Sequence, residues 1–377
     1  MSTPSGNESH LALVDGSRLI TESCVRAGAD VYVGYPITPA NLIYAYSSRR
    51  FPAVLPAPDE ITAIHWMAGL AAAGHLPITA TSFPGFALMV EAVNMAYMME
   101  LPMLVVLVQR MGPSTGTATA GAQGDLLLLR SLISGGYPLP VFCIASLDDC
   151  WCLPPVALQT AADLRSPVVL LTSKEMAMTE RSLNLRRLEE EMKVEPIQRR
   201  FYDGPAPYCP YAADDGWVPS FLAVGDSHHQ VRLTASTHDT HGLLQHSTDE
   251  ALANTRRLQE KVETGTPVIY DLDEQEGAET LVVTYGITAG AAREAVAALR
   301  AQGTLVSLLV AQTLLPVPAA YCEILDRYPR VVVAEENLQG QLARLLFGYR
   351  LPRKLRGVRG IGRMIRPDQI AQEVKGR

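Results

Sequence analysis

The repeated alternation of short apolar runs with longer amphipathic stretches constrains this chain most. V-Y-V-G near residue 31, I-T-A-T near 78, L-V-V-L-V near 104, V-F-C-I-A near 141 and V-V-L-L-T near 168 have strand length, and the stretches between them are long enough for helices. Strands buried on both faces read as nearly continuous apolar runs, and parallel neighbours need a crossover, usually helical. From residue 17 to about 174 the pattern therefore predicts an α/β fold built on a parallel sheet. G-F-A-L-M-V-E-A-V-N-M-A-Y-M-M-E, beginning at Gly85, has helical periodicity, and its methionines read as packing.

The alternation lapses from about Thr179 to Lys261, where charged residues give way to Pro, Asp, Tyr and His before the helical stretch D-E-A-L-A-N-T-R-R-L-Q-E-K-V. A long irregular segment of this kind usually packs against something or has a function. From Ala278 strands and helices alternate again: T-L-V-V-T-Y-G, I-T-A-G-A-A-R-E-A-V-A-A-L-R-A-Q-G, L-V-S-L-L-V, a helix near 317–328 and R-V-V-V-A-E-E-N. A chain of 377 residues can bury two cores. The expected organisation is a disordered tail over 1–16, a first α/β domain over 17–195, a connector over 196–262 and a smaller α/β domain over 263–377.

Composition narrows the function classes. A net charge of -7 argues against nucleic acid or anionic lipid as partners. The longest apolar runs, such as Leu101 to Val108, fall far below the roughly 18 residues of a membrane span. The polar opening M-S-T-P-S-G-N-E-S-H lacks signal-peptide character, so a cytoplasmic location is expected. Six cysteines, at 24, 143, 150, 152, 209 and 322, have neither zinc nor iron–sulfur spacing, so no metal is expected on this chain. The basic run from Arg350 to Arg363 reads as a solvated segment, with an acidic partner or a phosphate as the alternative.

Gly34-Tyr35-Pro36-Ile37-Thr38-Pro39-Ala40 follows the first strand, and its prolines stiffen a loop at the edge where parallel sheets bind ligands. Thr38 puts a hydroxyl on that loop, although spacing alone favours a rigid turn without a ligand. The fuller series changes the balance: G-Y-P-I-T-P-A, D-E-I-T-A-I at 59–64, T-A-T-S-F-P-G-F at 79–86, Q-R-M-G-P-S-T-G at 109–116 and A-Q-G-D at 122–125. Together with H-H-Q-V-R-L-T-A-S-T-H-D-T-H-G, A-E-E-N-L-Q-G-Q-L and G-R-M-I-R-P-D-Q-I, it resembles the alpha subunit of 2-oxoacid:ferredoxin oxidoreductases, especially the 2-oxoglutarate type, over nearly the whole chain.

The resemblance implies a thiamine pyrimidine-binding domain followed by a transketolase C-terminal-like domain. It implies oxidative decarboxylation of a 2-oxoacid to an acyl-CoA with reduction of ferredoxin. Glu60 falls where thiamine enzymes place the glutamate that hydrogen-bonds N1′ of the aminopyrimidine, and Asp59 reads as the cap of the same helix. The implied catalytic residues are Glu60, Arg110 and Thr38. The cofactor is expected against Tyr35, Pro36, Ile37, Thr38, Glu60 and Phe83, and the substrate against Thr38, Arg110, Ser114 and Thr115. Arg110 is suited to the substrate carboxylate. No G-D-G with a following metal and diphosphate segment is present. The resemblance therefore puts magnesium and an iron–sulfur cluster on a beta subunit that shares the thiamine diphosphate, with gamma and delta chains as further partners, and the chain alone is expected to hold no cofactor.

Several positions depart from the family pattern. Phe83 stands where a glycine is usual, Met111 where a small residue is usual, Thr117-Ala118-Thr119-Ala120 lacks the usual proline and cation, and Tyr137 replaces a common histidine. Apolar bulk gained and a cation lost weaken the case for an acidic distal group and leave an apolar 2-oxoacid open. A non-oxidative thiamine-dependent lyase and a non-catalytic scaffold subunit are the competing readings.

Overall fold

The computed structural model describes residues 10–213 and 216–376. Among them the strands are, in chain order, β1 (Leu11–Asp15), β2 (Val31–Gly34), β3 (Ala53–Pro56), β4 (Pro77–Thr81), β5 (Met103–Gln109), β6 (Val141–Cys143), β7 (Pro167–Ser173), β8 (Glu180–Asn184), β9 (Tyr270–Asp273), β10 (Thr280–Tyr285), β11 (Ser307–Ala311), β12 (Thr313–Leu315), β13 (Arg330–Glu335) and β14 (Leu355–Arg359). The larger sheet has the order β12-β6-β7-β5-β4-β2-β3, and the second β14-β13-β10-β11-β9. Strands β2 to β7 of the larger sheet run parallel. In the second sheet β10, β11, β13 and β14 are parallel, with β9 antiparallel at the edge. The α/β class is as the alternation requires. Every residue of β5, M-L-V-V-L-V-Q, is buried, as its central place between helical layers demands.

Three segments differ from expectation. Of the tail expected over 1–16, residues 1–9 lie outside the described residues, whereas Leu11–Asp15 pairs antiparallel with β8 and Asp15 caps the helix Gly16–Arg26. The run L-V-S-L-L-V-A-Q-T-L-L is not one strand: the chain breaks at Gln312, and β12 crosses over to pair antiparallel with β6 of the larger sheet. One apolar core accordingly contains Val105 and Val169 of the larger sheet together with Leu281 and Leu309 of the second. The basic run from 350 contains the edge strand β14, and Lys354 Nζ donates to the carbonyl of Leu325 at 2.7 Å.

The connector is packed, and a buried ionic cluster holds it. Glu100, in the left-handed region at φ 55, accepts from Lys261 Nζ at 2.7 Å and from the Arg257 guanidinium; both charged groups of the Glu100–Lys261 pair are inaccessible. Arg165 Nη1 donates to the carbonyls of Pro210 at 2.9 Å and Ser220 at 3.0 Å, tying the connector to the same point. Burial pushes the Glu100 carboxyl up, but Lys261 and Arg257 outweigh it and hold the group at about 2. Removing one partner strands a buried charge. Lys261→Met is expected to cost about 3 kcal/mol in chemical denaturation. Because the Glu100 value is depressed from 4.5 to about 2, its stabilising contribution is complete above the upper value and fades as pH falls through the lower one. A urea midpoint that moves for Lys261→Met at pH 7 and converges with wild type near pH 2 checks both statements.

Candidate active site

The carboxyl ends of β2, β3, β4 and β5 lie along one edge of the larger sheet, and the segments that leave them carry Tyr35–Thr38, Glu60, Phe83 and Arg110. Parallel order alone gathers these residues from four distant stretches of chain. Asp59 Oδ1 accepts from the Thr62 N–H at 2.7 Å and so starts the helix Glu60–Ala72, a bond that holds the Asp59 carboxyl below its ordinary range. Glu60 is thereby fixed as the first residue of the helix and is only 6% exposed. Its carboxylate makes no hydrogen bond to another described residue. It lies against Gly85, where an added Cβ would stand 2.4 Å from both Glu60 Oε1 and Thr81 Oγ1. Glycine is required there by close approach.

Arg110 directly follows β5 and is 7% exposed. Its Nη1 donates to the Thr38 carbonyl at 2.6 Å, whereas its Nε is buried without a partner. Burial lowers its pKa, as expected of a cation with no carboxylate beside it. The structure thus joins Thr38 to Arg110 through the backbone carbonyl, not through the hydroxyl singled out in the sequence. Ile37 packs against the core, while Tyr35 and Pro36 are exposed on the rim.

Beyond Arg110 the chain folds back on itself: Thr117 N–H donates to the Met111 carbonyl at 2.9 Å and Met111 N–H to the Ala120 carbonyl at 2.8 Å. Gly116 closes this turn at φ +53, with a notional Cβ only 1.6 Å from the Met111 oxygen, so no other residue fits. Ser114 and Thr115 are exposed at its tip. The Met111 side chain points across to Gly362, its sulfur 3.2 Å from a Cβ built there. The bulk by which Met111 departs from the family pattern thus packs this loop against the C-terminal segment.

A cavity of about 400 Å³ opens between the two sheets' carboxyl edges. Phe83, Arg110, Ser114 and Asp125 line it from the larger sheet, and Glu336, Asn337, Leu338 and Ile361 from the second. Tyr35, Pro36, Ile37, Thr38, Glu60 and Thr115 are outside this lining. Gln123 builds the seam. Its backbone N–H donates to the Glu336 carbonyl at 2.8 Å, its Nε2 to the Tyr285 carbonyl at 2.7 Å, and its Oε1 accepts from Glu336 N–H at 2.6 Å and Thr288 Oγ1 at 2.9 Å. Glu335 accepts from the N–H groups of Leu342 at 2.7 Å and Ala343 at 3.1 Å, capping the next helix. A-Q-G-D and A-E-E-N, which the sequence reading left without roles, are the two halves of this seam.

Residues 22–263 match the family described as "Pyruvate flavodoxin/ferredoxin oxidoreductase, thiamine diP-bdg", and residues 278–347 match "Pyruvate:ferredoxin oxidoreductase core domain II". The chain belongs to this oxidoreductase family. It is 34% identical to the 2-oxoglutarate oxidoreductase subunit KorA of Mycobacterium tuberculosis over 85% of this chain and 50% of that one. It is 27% identical to the 2-oxoglutarate synthase subunit KorA of Archaeoglobus fulgidus over 97% and 99%. With the ketoisovalerate oxidoreductase subunit VorB of Methanothermobacter thermautotrophicus it shares 31% over 81% and 80%. A chain of 2-oxoglutarate:ferredoxin oxidoreductase from Magnetococcus marinus, solved with 2-oxoglutarate, coenzyme A and succinyl-CoA, superposes at a TM-score of 0.91 with 28% identity, over 98% of this chain and 66% of that one. The chain thus spans half the length of its Mycobacterium relative, about two thirds of the Magnetococcus chain and nearly all of the Archaeoglobus subunit. Transketolase of Campylobacter jejuni, at 11% identity and a TM-score of 0.55, shares the fold. These oxidoreductase relatives are subunits by name, and no helix among the described residues of this chain is long and apolar enough to cross a membrane.

The Gly85 contact gives a test of the family site. Gly85→Ala must push the Glu60 carboxylate aside, and a displacement near 1 Å costs about 10²-fold in rate where the displaced group takes part in the reaction. Turnover of the assembled complex is expected to fall by that order, with its melting temperature within a few degrees of wild type.

Proposed function

We propose that this chain supplies the aminopyrimidine side of a thiamine diphosphate site in a 2-oxoacid:ferredoxin oxidoreductase and is inactive without a beta subunit. The observation that carries the reading is Glu60: a buried carboxylate with no partner among the described residues, in a cradle that a single added carbon at Gly85 would fill. That fits an aminopyrimidine nitrogen as its missing partner. Bound thiamine diphosphate supplies the carbon nucleophile and the electron sink for decarboxylating a 2-oxoacid.

The chain's own residues then have separable tasks. Glu60 shares a proton with the pyrimidine ring in a dry setting, where such a bond is strong. Arg110, anchored by Thr38 and with Nε free, takes the C1 carboxylate of the substrate through a charge-assisted bond. The exposed rim at Tyr35, Pro36, Ser114 and Thr115, with Ile61 at 47% and Trp66 at 41% exposure on the Glu60 helix, fits coverage by another chain. The beta subunit is expected to bring the diphosphate and magnesium side and an iron–sulfur cluster. Electrons leave to ferredoxin, the acyl group leaves on coenzyme A, and gamma and delta chains complete a cytoplasmic complex. The 2-oxoglutarate and ketoisovalerate names among relatives of similar identity make a 2-oxoacid the substrate class. A non-catalytic scaffold has no use for two buried, underpaired charges at a sheet edge, since each costs stability.

The test is the chain co-expressed with its beta partner. Glu60→Gln is expected to lower coenzyme A-dependent dye reduction by about 10²–10⁴-fold without dissociating the complex. Arg110→Ala is expected to lower kcat/KM for the 2-oxoacid by roughly 10–100-fold, the worth of a hydrogen bond to a charged group. A Glu60→Gln complex with full activity rejects the assignment. Carbon dioxide release that needs neither coenzyme A nor an electron acceptor identifies a lyase instead.

A further inference from the structure

The arginines of the basic run near the C-terminus have no task in the site described above. From Arg344 to Arg366 the chain contains seven arginines, one lysine and no acid, although its net charge is -7. Three of these cations are occupied. Lys354 Nζ donates to the carbonyls of Leu325 and Tyr328 and lies 3.7 Å from Asp326, Arg366 pairs with Asp368 at 2.9 Å, and Arg344 lies over the Tyr349 ring at 5.7 Å. Arg350, Arg353, Arg356, Arg359 and Arg363 are exposed and make no ion pair among the described residues. They lie on β14 and the turns at its two ends. β14 is an edge strand, paired with β13 on one side only, and Gly357 at its middle is exposed.

Charge on an edge strand can serve simply to prevent self-pairing. That accounts for Arg356 and Arg359 on β14, but not for the cations in the turns at 350, 353 and 363. It also leaves the apolar side chains among them without a reason: Tyr349 is 84% exposed, Met364 50% and Ile361 42%. Arginine, aromatic residues and methionine are the types enriched where protein surfaces meet, and lysine and glutamate are depleted there. A guanidinium also matches a carboxylate with two parallel hydrogen bonds. We propose that the β14 edge is a docking surface for an acidic face of another subunit of the complex, whose carboxylates pair with the five arginines while Tyr349, Ile361 and Met364 make the apolar contacts. The occupant is a resident subunit because a large apolar component belongs to lasting interfaces, whereas passing redox encounters bury little surface. This rests on the chain being one subunit of a heteromeric oxidoreductase, and it adds where a partner is held. The surface reaches the cavity wall through Ile361 and the Arg110 loop through Gly362, beside Met111, so a subunit seated there adjoins the site.

The test uses the full chain co-expressed with its partner subunits. The triple charge reversal Arg350→Glu, Arg353→Glu, Arg363→Glu is expected to weaken assembly about 10²-fold at low salt, read by native mass spectrometry over a dilution series, because repulsion replaces attraction at three contacts. The difference is expected to narrow as salt is raised. The neutral set Arg350→Gln, Arg353→Gln, Arg363→Gln is expected to fall between the two and serves if the reversal does not fold. In an Arg353→Lys variant, zero-length carbodiimide coupling is expected to join position 353 to an Asp or Glu of a partner subunit. Assembly and salt dependence unchanged in the folded variants overturn the proposal. A reversal that leaves the complex intact but raises the KM for ferredoxin also overturns it and assigns the surface to the carrier. A wild-type complex that turns over no 2-oxoacid, yet separates on charge reversal, supports the docking and rejects the reaction class instead.

Discussion

Gln123 makes the site a site. Each lobe on its own presents the carboxyl edge of a parallel sheet, an open surface with nothing to enclose a small molecule. Gln123 satisfies both ends of its side-chain amide, and its own backbone N–H, with partners from the second lobe at Glu336, Tyr285 and Thr288. An amide that exchanges water for complete internal pairing tolerates little displacement, because any separation leaves buried donors and acceptors unpaired. The two edges are therefore held in register across a seam a few residues wide. β12 ties the same two lobes, a strand of the second lobe's sequence that completes the first lobe's sheet.

That fastening also explains why the charged residues of the site can afford to be underpaired. Glu60, Arg110 and Asp125 each have a carboxylate oxygen or guanidinium nitrogen without a partner among the described residues, an arrangement that a freely relaxing surface would solvate or pair away. The ionic cluster at Glu100 shows the contrast. There a fully buried carboxylate meets Lys261 and Arg257, so its pKa is held far below the ordinary range, and the cluster serves as an anchor for the connector. The same residue type is structural where it is paired and available for chemistry where it is not.

Much of this was readable from the residues. The apolar runs at 31, 78, 104, 141 and 168 are strands, their order along the chain implied a parallel sheet, and a parallel sheet brings Thr38, Glu60, Phe83 and Arg110 to one edge. The edge strands were harder. β3, A-V-L-P, and β9, Y-D-L-D, are short and largely exposed, so they have neither the continuous apolar run of a buried strand nor a clean alternation. β12 was hidden for the opposite reason: it continues an apolar run without a break in composition, and only pairing with β6 separates it from β11. Gln123, Asp125 and Glu336 lay in motifs whose spelling was visible, but Gln123 finds its partners more than 150 residues away, as with Thr288 at a separation of 165. One sequence cannot reveal such a pairing.

The departures at 83 and 111 divide once the geometry is known. Both put large apolar side chains into loops beside Arg110, and sequence alone gave them one meaning. Met111 spends its volume on Gly362, pressing the Arg110 loop onto the C-terminal segment that also brings Ile361 to the cavity wall. Phe83 remains half-buried in the cavity lining at the start of its helix, next in chain to the Ser82 that ends the β4 edge. Its ring adds apolar surface to a lining whose one cationic side chain among the described residues is Arg110. The cavity thus has Arg110 and Asp125 on the larger sheet's side and Glu336, Leu338 and Ile361 on the second's. Added apolar bulk thus serves loop packing at Met111 and cavity lining at Phe83, a division that only the folded chain reveals.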